Sequence, residues 1–176
     1  MILIQQLKLQ LQFKMAFVII AAVARNYVIG DRGQIPWFSD DEIRKPDMKK
    51  FRELTLGTSV IMGRSTFDSL KKPLEDRTNI VLTRNPDYIA PNGVISAKSI
   101  EEALDISKFS KRDVYIIGGA QVYKQTIGLA DRLELTELNT DYSGDVLFPE
   151  YRNTGEWNRV KVEHRKKFSF VTYERT

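Results

Sequence analysis

Ser59-Val60-Ile61-Met62-Gly63-Arg64-Ser65-Thr66 decides the fold. An apolar run too short for a helix stops at a glycine, and hydroxyl and guanidinium side chains then open the helical spacing of Thr66 to Leu70. A strand that turns through glycine into a helix is the front half of a β–α–β unit. Outward from it the pattern repeats. Phe17 to Val23, Thr78 to Leu82 and Val114 to Ile117 read as buried strands bounded by breakers, and Pro46 to Leu54, Ser99 to Ile106 and Ala120 to Ile127 carry helical spacing. Ser99 with Glu102 makes a capping box. Arg132 to Leu138 and Val160 to Arg175 alternate in period two, which predicts an antiparallel finish. The expected architecture is α/β: one domain with a central, mostly parallel β-sheet, an antiparallel C-terminal strand and flanking helices.

Composition excludes much chemistry. The 176 residues contain no cysteine, which removes disulfides, thiolate nucleophiles and cysteine-held zinc or iron–sulfur clusters. The lone histidine, His164, rules out a histidine pair on a metal, so no metal site is expected. Lys+Arg of 27 against Asp+Glu of 23 gives +4, which suits small anionic ligands as well as nucleic acid and separates neither. The longest apolar run, Met15 to Ala24, is far shorter than the ~18–20 residues that span a bilayer, so no membrane association is expected. Lys8, Lys14 and Ala22-Val23-Ala24 imitate an export signal, but Leu7, Leu9, Leu11 and Phe13 alternate with polar residues and the apolar run is needed as a strand. Residues 1–14 are therefore expected to be a flexible N-terminal extension, with 15–176 the folded domain of a cytoplasmic, monomeric protein.

Several constellations could carry chemistry. Pro46 suits a first helical position, and Asp47, Phe51 and Leu54 then share one helix face at i, i+4 and i+7. A carboxylate on an apolar stripe would have its pKa raised by burial, though an aspartate in any first turn is also favoured by free backbone N–H groups. Gly63-Arg64-Ser65-Thr66 and Gly118-Gly119-Ala120-Gln121 each join a strand to a helix, where N–H groups can meet phosphate. Gly57 and Gly63 imitate a nucleotide-triphosphate loop, but the spacing is wrong and arginine stands where lysine is required. Arg84 follows another strand at the same sheet edge, where open α/β sheets bind ligands. Gly30-Asp31-Arg32-Gly33-Gln34-Ile35-Pro36-Trp37 reads as a glycine-punctuated loop able to close over a flat ligand. Arg165-Lys166-Lys167 with Phe168, Phe170 and Tyr173 could be a nucleic-acid surface or a charged edge strand, and the strand is the simpler reading. A phosphotransferase on the Gly63 to Thr66 cradle lacks both the lysine and a magnesium partner.

Taken in order, Ile20-Ala21-Ala22-Val23-Ala24, Val28-Ile29-Gly30, Ile35-Pro36-Trp37, the Asp47 to Phe51 helix, Val60 to Phe67, Arg77 to Thr83, Ile116 to Gly119, Val122-Tyr123, Leu135-Thr136 and Gly144 to Pro149 resemble the dihydrofolate reductase family. The resemblance covers everything after Lys14. It implies NADPH-dependent reduction of 7,8-dihydrofolate to tetrahydrofolate, or a related NADPH-dependent pterin or flavin-type reductase with an altered pocket. It further implies that Asp47 binds the pteridine, that Thr136 supports it and that Trp37 anchors an ordered water. Ile20, Ala21, Ala22, Met48, Phe51, Leu70, Ile117 and Tyr123 would wall the pocket, and Arg77 would pair with the glutamate carboxylate of folate. Arg64, Ser65 and Arg84 would meet the 2′-phosphate of NADPH, with Gly63, Leu82, Thr83 and Lys98 beside the adenine end. Thr66, Gly118, Gly119, Ala120, Gln121, Val122 and Tyr123 would follow the pyrophosphate and nicotinamide, with Ala22, Ile29, Gly30, Gly33, Gln34 and Ile35 over the nicotinamide and Asp145 touching that loop. Antifolates such as methotrexate or trimethoprim would take the same pocket, and no nucleic-acid partner is implied. The segment between Trp37 and Asp47 is longer than in many bacterial relatives, and its Asp40, Asp41 and Glu42 are rival carboxylates.

Overall fold

Strand β1, Phe17–Val23, lies inside an eight-stranded sheet, with β6 (Val114–Gly118) on one side and β7 (Arg132–Leu138) on the other. Beyond β6 come β3 (Ser59–Gly63), β4 (Thr78–Leu82) and β5 (Val94–Ala97), all parallel. Beyond β7 come β10 (Phe168–Arg175) and β9 (Trp157–His164), joined by a short turn, so β10 runs antiparallel to both neighbours. A small second sheet pairs β2 (Val28–Gly30) with β8 (Val146–Leu147), both too short to leave a periodic signal in the sequence. The computed structural model describes residues 15–110 and 112–176, so the expectation for residues 1–14 lies outside the described residues. Phe17–Val23, which includes two of the three residues that imitate a cleavage site, is a strand paired on both sides.

Alternation along the parallel strands builds the two cores. Val18 and Ile20 of β1, with Val60, Met62 and Val81, face one layer, where Phe51, Leu54 and Phe67 pack on them. Ile19 of β1, with Ile61, Ile80 and Ile116, faces the other, under Ile100, Ala103 and Val122. Among the described residues, four α-helices occupy these layers: α1 (Asp41–Thr55), α2 (Arg64–Leu70), α3 (Ile100–Ser107) and α4 (Ala120–Thr126). Ser99 caps α3 by accepting from Glu102 N–H at 3.2 Å, and the Glu102 carboxylate accepts from Lys98 N–H at 2.7 Å.

The start of α1 corrects the sequence reading. Pro46 is interior, and the helix begins at Asp41, capped by Asp40, whose carboxylate accepts from Glu42 N–H at 3.0 Å. An acidic cap and first turn satisfy orphan N–H groups and suit the helix dipole, which outweighs the one backbone bond that Pro46 cannot donate. Much of the segment between Trp37 and Asp47 is thus helical. Asp47 stays on the inward face because the register set by Phe51 and Leu54 is unchanged.

Candidate active site

Asp47, Lys50, Phe51 and Leu54 fall at i, i+3, i+4 and i+7 of α1, the spacing of one face. With Ile20 of β1, Glu134, Leu135 and Thr136 of β7 and Phe170 of β10 they line a cleft. Thr136 Oγ1 donates to Asp47 Oδ1 at 2.6 Å, a bond of charge-assisted length. Burial raises the Asp47 pKa above the ordinary carboxylate range, and the Thr136 hydroxyl pulls it part of the way back. In the sheet, Thr136 stands opposite Ala22 on one side and Phe170 on the other. Tyr123 of α4 is fully engaged nearby: its hydroxyl donates to the Ile20 carbonyl at 2.9 Å, and burial together with the Asp47 charge holds its proton firmly.

The rival carboxylates are committed elsewhere. Asp40 accepts from Lys167 Nζ at 2.7 Å and Glu42 lies 2.9 Å from the same ammonium, while Asp41 pairs with Arg44 and with Lys45 at 2.8 Å. The Lys167 bond holds Asp40 below its usual carboxylate range, and the Lys45 and Arg44 bonds do the same for Asp41. These ion pairs also bear on the basic run at Arg165 to Lys167. Lys167 is paired, and Phe168, Phe170 and Tyr173 are buried, so no aromatic platform interleaves with the basic run.

Other expected substrate residues surround the cleft without all lining it. Leu70 and Ile117 pack in the same apolar layer as Phe51, Ala21 and Ala22 are half-buried on β1, and Met48 is exposed beside Asp47. Arg77 donates from Nε to Thr55 Oγ1 at 2.8 Å and from Nη1 to the Glu75 carbonyl at 2.6 Å, with its guanidinium 5.8 Å from the Phe51 ring centroid. Two anchors and a ring fix the direction in which the guanidinium fork points.

The loop from Gly30 to Trp37 combines an exposed tip with a buried anchor. Asp31 and Gln34 exchange backbone bonds at 2.8 and 2.9 Å around Arg32 and Gly33, which both have positive φ. Ile35 is exposed, whereas Trp37 is buried among Val28, Ile43 and Phe168, edge-on to Tyr142 at 5.1 Å. Arg32 N–H donates to Asp145 Oδ1 at 3.1 Å. Gly144 fits beneath because it has no side chain: a Cβ there would collide with the Gly30 carbonyl oxygen.

On the other side of β1, the ends of the parallel strands form a cradle. Gly63 at the end of β3 abuts Gly118-Gly119 at the end of β6, where a Cβ on Gly63 would meet Val122 at 3.3 Å and one on Gly119 would meet Thr66 Oγ1 at 3.1 Å. Helices α2 and α4 start at this contact, and neither Gly63 nor Gly119 offers a side-chain cap, so their first N–H groups stay available to an anion. The ladder pairs Gly63 with Leu82 and Leu82 with Ala97. Consequently Arg64, Thr83-Arg84 and Lys98 follow one another along the ends of β3, β4 and β5, with Arg64, Ser65, Arg84 and Lys98 exposed. Donors in a tight glycine notch beside a row of cations fit a dinucleotide carrying an extra phosphate. This is the fit expected of NADPH.

Comparison with known proteins agrees with this geometry. The dihydrofolate reductase family model matches residues 16–175. The chain belongs to the dihydrofolate reductase family. Dihydrofolate reductase HdrB of Haloferax volcanii is 39% identical over 168 residues, covering 90% of this chain and 83% of that protein. Dihydrofolate reductase of Buchnera aphidicola is 41% identical over 150 residues, covering 85% and 86%. The structure of the Enterococcus faecalis dihydrofolate reductase complexed with NADP(H) and RAB-propyl superposes with a TM-score of 0.76 at 32% identity, covering 91% of this chain and 96% of that one. Membership carries the activity, NADPH-dependent reduction of 7,8-dihydrofolate to tetrahydrofolate. Sequence reasoning passes over Lys50, Leu54, Glu134, Leu135 and Phe170 as cleft residues. Glu134 is within its reach, since in a strand it shares a face with Thr136 two residues on.

Proposed function

We propose that Asp47 holds the pteridine of dihydrofolate through its amino group and ring nitrogen, and that NADPH lies along the ends of β5, β4, β3 and β6 with its nicotinamide beside Ala21-Ala22. The observation that carries this reading is the Asp47 carboxyl, buried in the cleft and bonded to Thr136, one strand away from the glycine notch. Parallel neighbours are about 4.8 Å apart, so β1 alone separates acid from cofactor. When bound, NADPH supplies the hydride that C6 of the substrate accepts. Asp47 orients the ring and raises the basicity of N5, which takes its proton from water, so each dihydrofolate consumes one NADPH and one proton. Ile20, Phe51, Leu70 and Ile117 keep bulk water off the ring, and Met48 closes the outer side. Trp37 serves from its buried position as an anchor for an ordered water and for the Gly30 to Ile35 loop. Arg77, aimed by Thr55 and Phe51, takes the substrate's glutamate carboxylate. Arg64, Ser65 and Arg84 take the 2′-phosphate.

The reading extends to a cytoplasmic monomer, because every site residue comes from one chain within 15–176. Methotrexate or trimethoprim would occupy the Asp47 cleft. The test is the loss of reduced-nicotinamide absorbance when dihydrofolate is added to wild type and to Asp47→Asn, with NADH as the cofactor control. Wild type turns over with preference for NADPH, and Asp47→Asn loses about 100-fold in kcat/KM at neutral pH while staying folded. Undiminished turnover by Asp47→Asn would refute the assignment.

A further inference from the structure

The inner end of the Asp47 cleft is charged. Glu134 sits two residues before Thr136 on β7, and Lys50 follows Asp47 by just under a turn of α1, so both side chains line the same cleft. Glu134 is fixed: Thr172 of β10 donates to its Oε2 at 2.9 Å, and Arg132 Nε lies 3.0 Å from its Oε1. That guanidinium also bonds Asp113 at 2.9 Å, so one cation serves two carboxylates. Lys50 is loosely held. Its Nζ lies 3.9 Å from Glu163, a carboxylate already taken by Lys161 at 2.8 Å, and 5.4 Å from the Phe170 ring centroid.

We propose that Glu134 and Lys50 are positioning residues that set, with opposite signs, the pH at which Asp47 changes its protonation state, and with it the pH range of turnover. This rests on Asp47 being the acid of the reduction. The other groups facing Asp47 are neutral: Thr136 on β7, Tyr123 on α4, Ile20 on β1 and Phe170 on β10. On β9, Lys161 pairs with Glu163 at 2.8 Å and also feels the Glu134 charge, and neither residue lines the cleft. A nearby anion makes a carboxyl harder to ionise and a nearby cation makes it easier, so Glu134 raises the working pKa and Lys50 lowers it. A unit charge across a cleft open to water shifts a titration by about half a pH unit.

The experiment measures kcat/KM against pH for wild type, Glu134→Gln, Lys50→Met and the double variant, with a carboxyl-carbon NMR titration of Asp47 in each ligand-free protein. Glutamine keeps an acceptor for Thr172, and methionine keeps the stem over Phe170. Glu134→Gln moves the apparent pKa down by about half a unit, Lys50→Met moves it up by a similar amount, and the double variant returns close to wild type. Midpoints that stay at the wild-type pH in both measurements, whatever happens to the rates, overturn the proposal. Should Glu134→Gln fail to fold, the upward shift in Lys50→Met still decides it. Asp47→Asn separates the two layers of the argument. If it keeps the wild-type profile, Asp47 is not the acid at all, whereas loss of the titrating limb with unmoved midpoints in the other variants refutes only this inference.

Discussion

On one side of β1 the Asp47 carboxyl, carried by α1, points into the cleft and is bonded to Thr136, and on the other Arg64, Arg84 and Lys98 stand in solvent at the ends of three parallel strands. The acid side is complete within the fold. Its charge is desolvated whether or not substrate is present, and the cost is borne by the packing of Ile20, Phe51 and Leu54 around it. The cofactor side is half a site. Its uncapped helix starts and exposed guanidiniums gain strong partners only when an anion arrives. Changes on the acid side should therefore appear in rate and in the pH dependence of stability, and changes on the cation side in cofactor affinity and in salt dependence.

The largest effect expected from breaking the cation side is in Arg64→Ala combined with Arg84→Ala. Loss of two charge-assisted contacts to one phosphate raises KM for NADPH about 100-fold, leaves kcat within a fewfold and leaves KM for NADH almost unchanged. Steady-state kinetics at two salt concentrations check this, because the wild-type advantage of NADPH over NADH should shrink as salt rises. A matching loss with NADH would mean that the two arginines support the fold of α2 and do not read the extra phosphate.

The acid side can be broken in the opposite direction. Because burial raises the Asp47 pKa in the folded state, the folded protein holds this proton more tightly than the unfolded chain. Stability contributed by this group therefore falls as pH rises from the unfolded carboxylate pKa of about 4 through the raised folded value, and stays low above it. Asp47→Asn removes that penalty. Its melting temperature should exceed that of wild type by a few degrees at pH 7, with the gap closing below about pH 4. Thermal unfolding across this pH range checks the sign, and a wild type that is the more stable of the two at pH 7 would contradict it.

The two sides also differ in how readable they are. The glycine turns and the cations after them are local features, each written in a few consecutive residues, so Gly63 to Thr66, Gly118-Gly119 and Arg84 stand out from the amino-acid order alone. The central sheet is legible for the same reason, since Val60-Ile61-Met62 and Val114-Tyr115-Ile116 are buried on both faces and uninterrupted. The acid cleft depends on contacts between residues far apart in the chain. Asp47 and Thr136, 89 residues apart, meet only through the tertiary fold, so the local spacings that put Lys50 beside Asp47 and Glu134 beside Thr136 do not reveal that the two pairs line one cleft. Strands β2 and β8 escape a sequence reading because pairs so short are held by Gly144 under Gly30 and by the Arg32 to Asp145 bond, not by periodicity.

The start of α1 gives the smallest predicted effect and the sharpest control. Pro46 suits the opening of a helix, but the Asp40 cap and the acidic first turn open it earlier, which turns the rival carboxylates into helix-terminal charges. Asp41 lies in solvent between Arg44 and Lys45, and exposed pairs of this kind contribute little. Asp41→Asn should keep kcat/KM within about twofold of wild type and leave the pH profile in place, as the same assay reads directly. Were Asp41→Asn crippled while Asp47→Asn stayed active, the register of α1 against β7 would be wrong, because the Thr136 bond and the spacing to Phe51 can serve only one of the two aspartates.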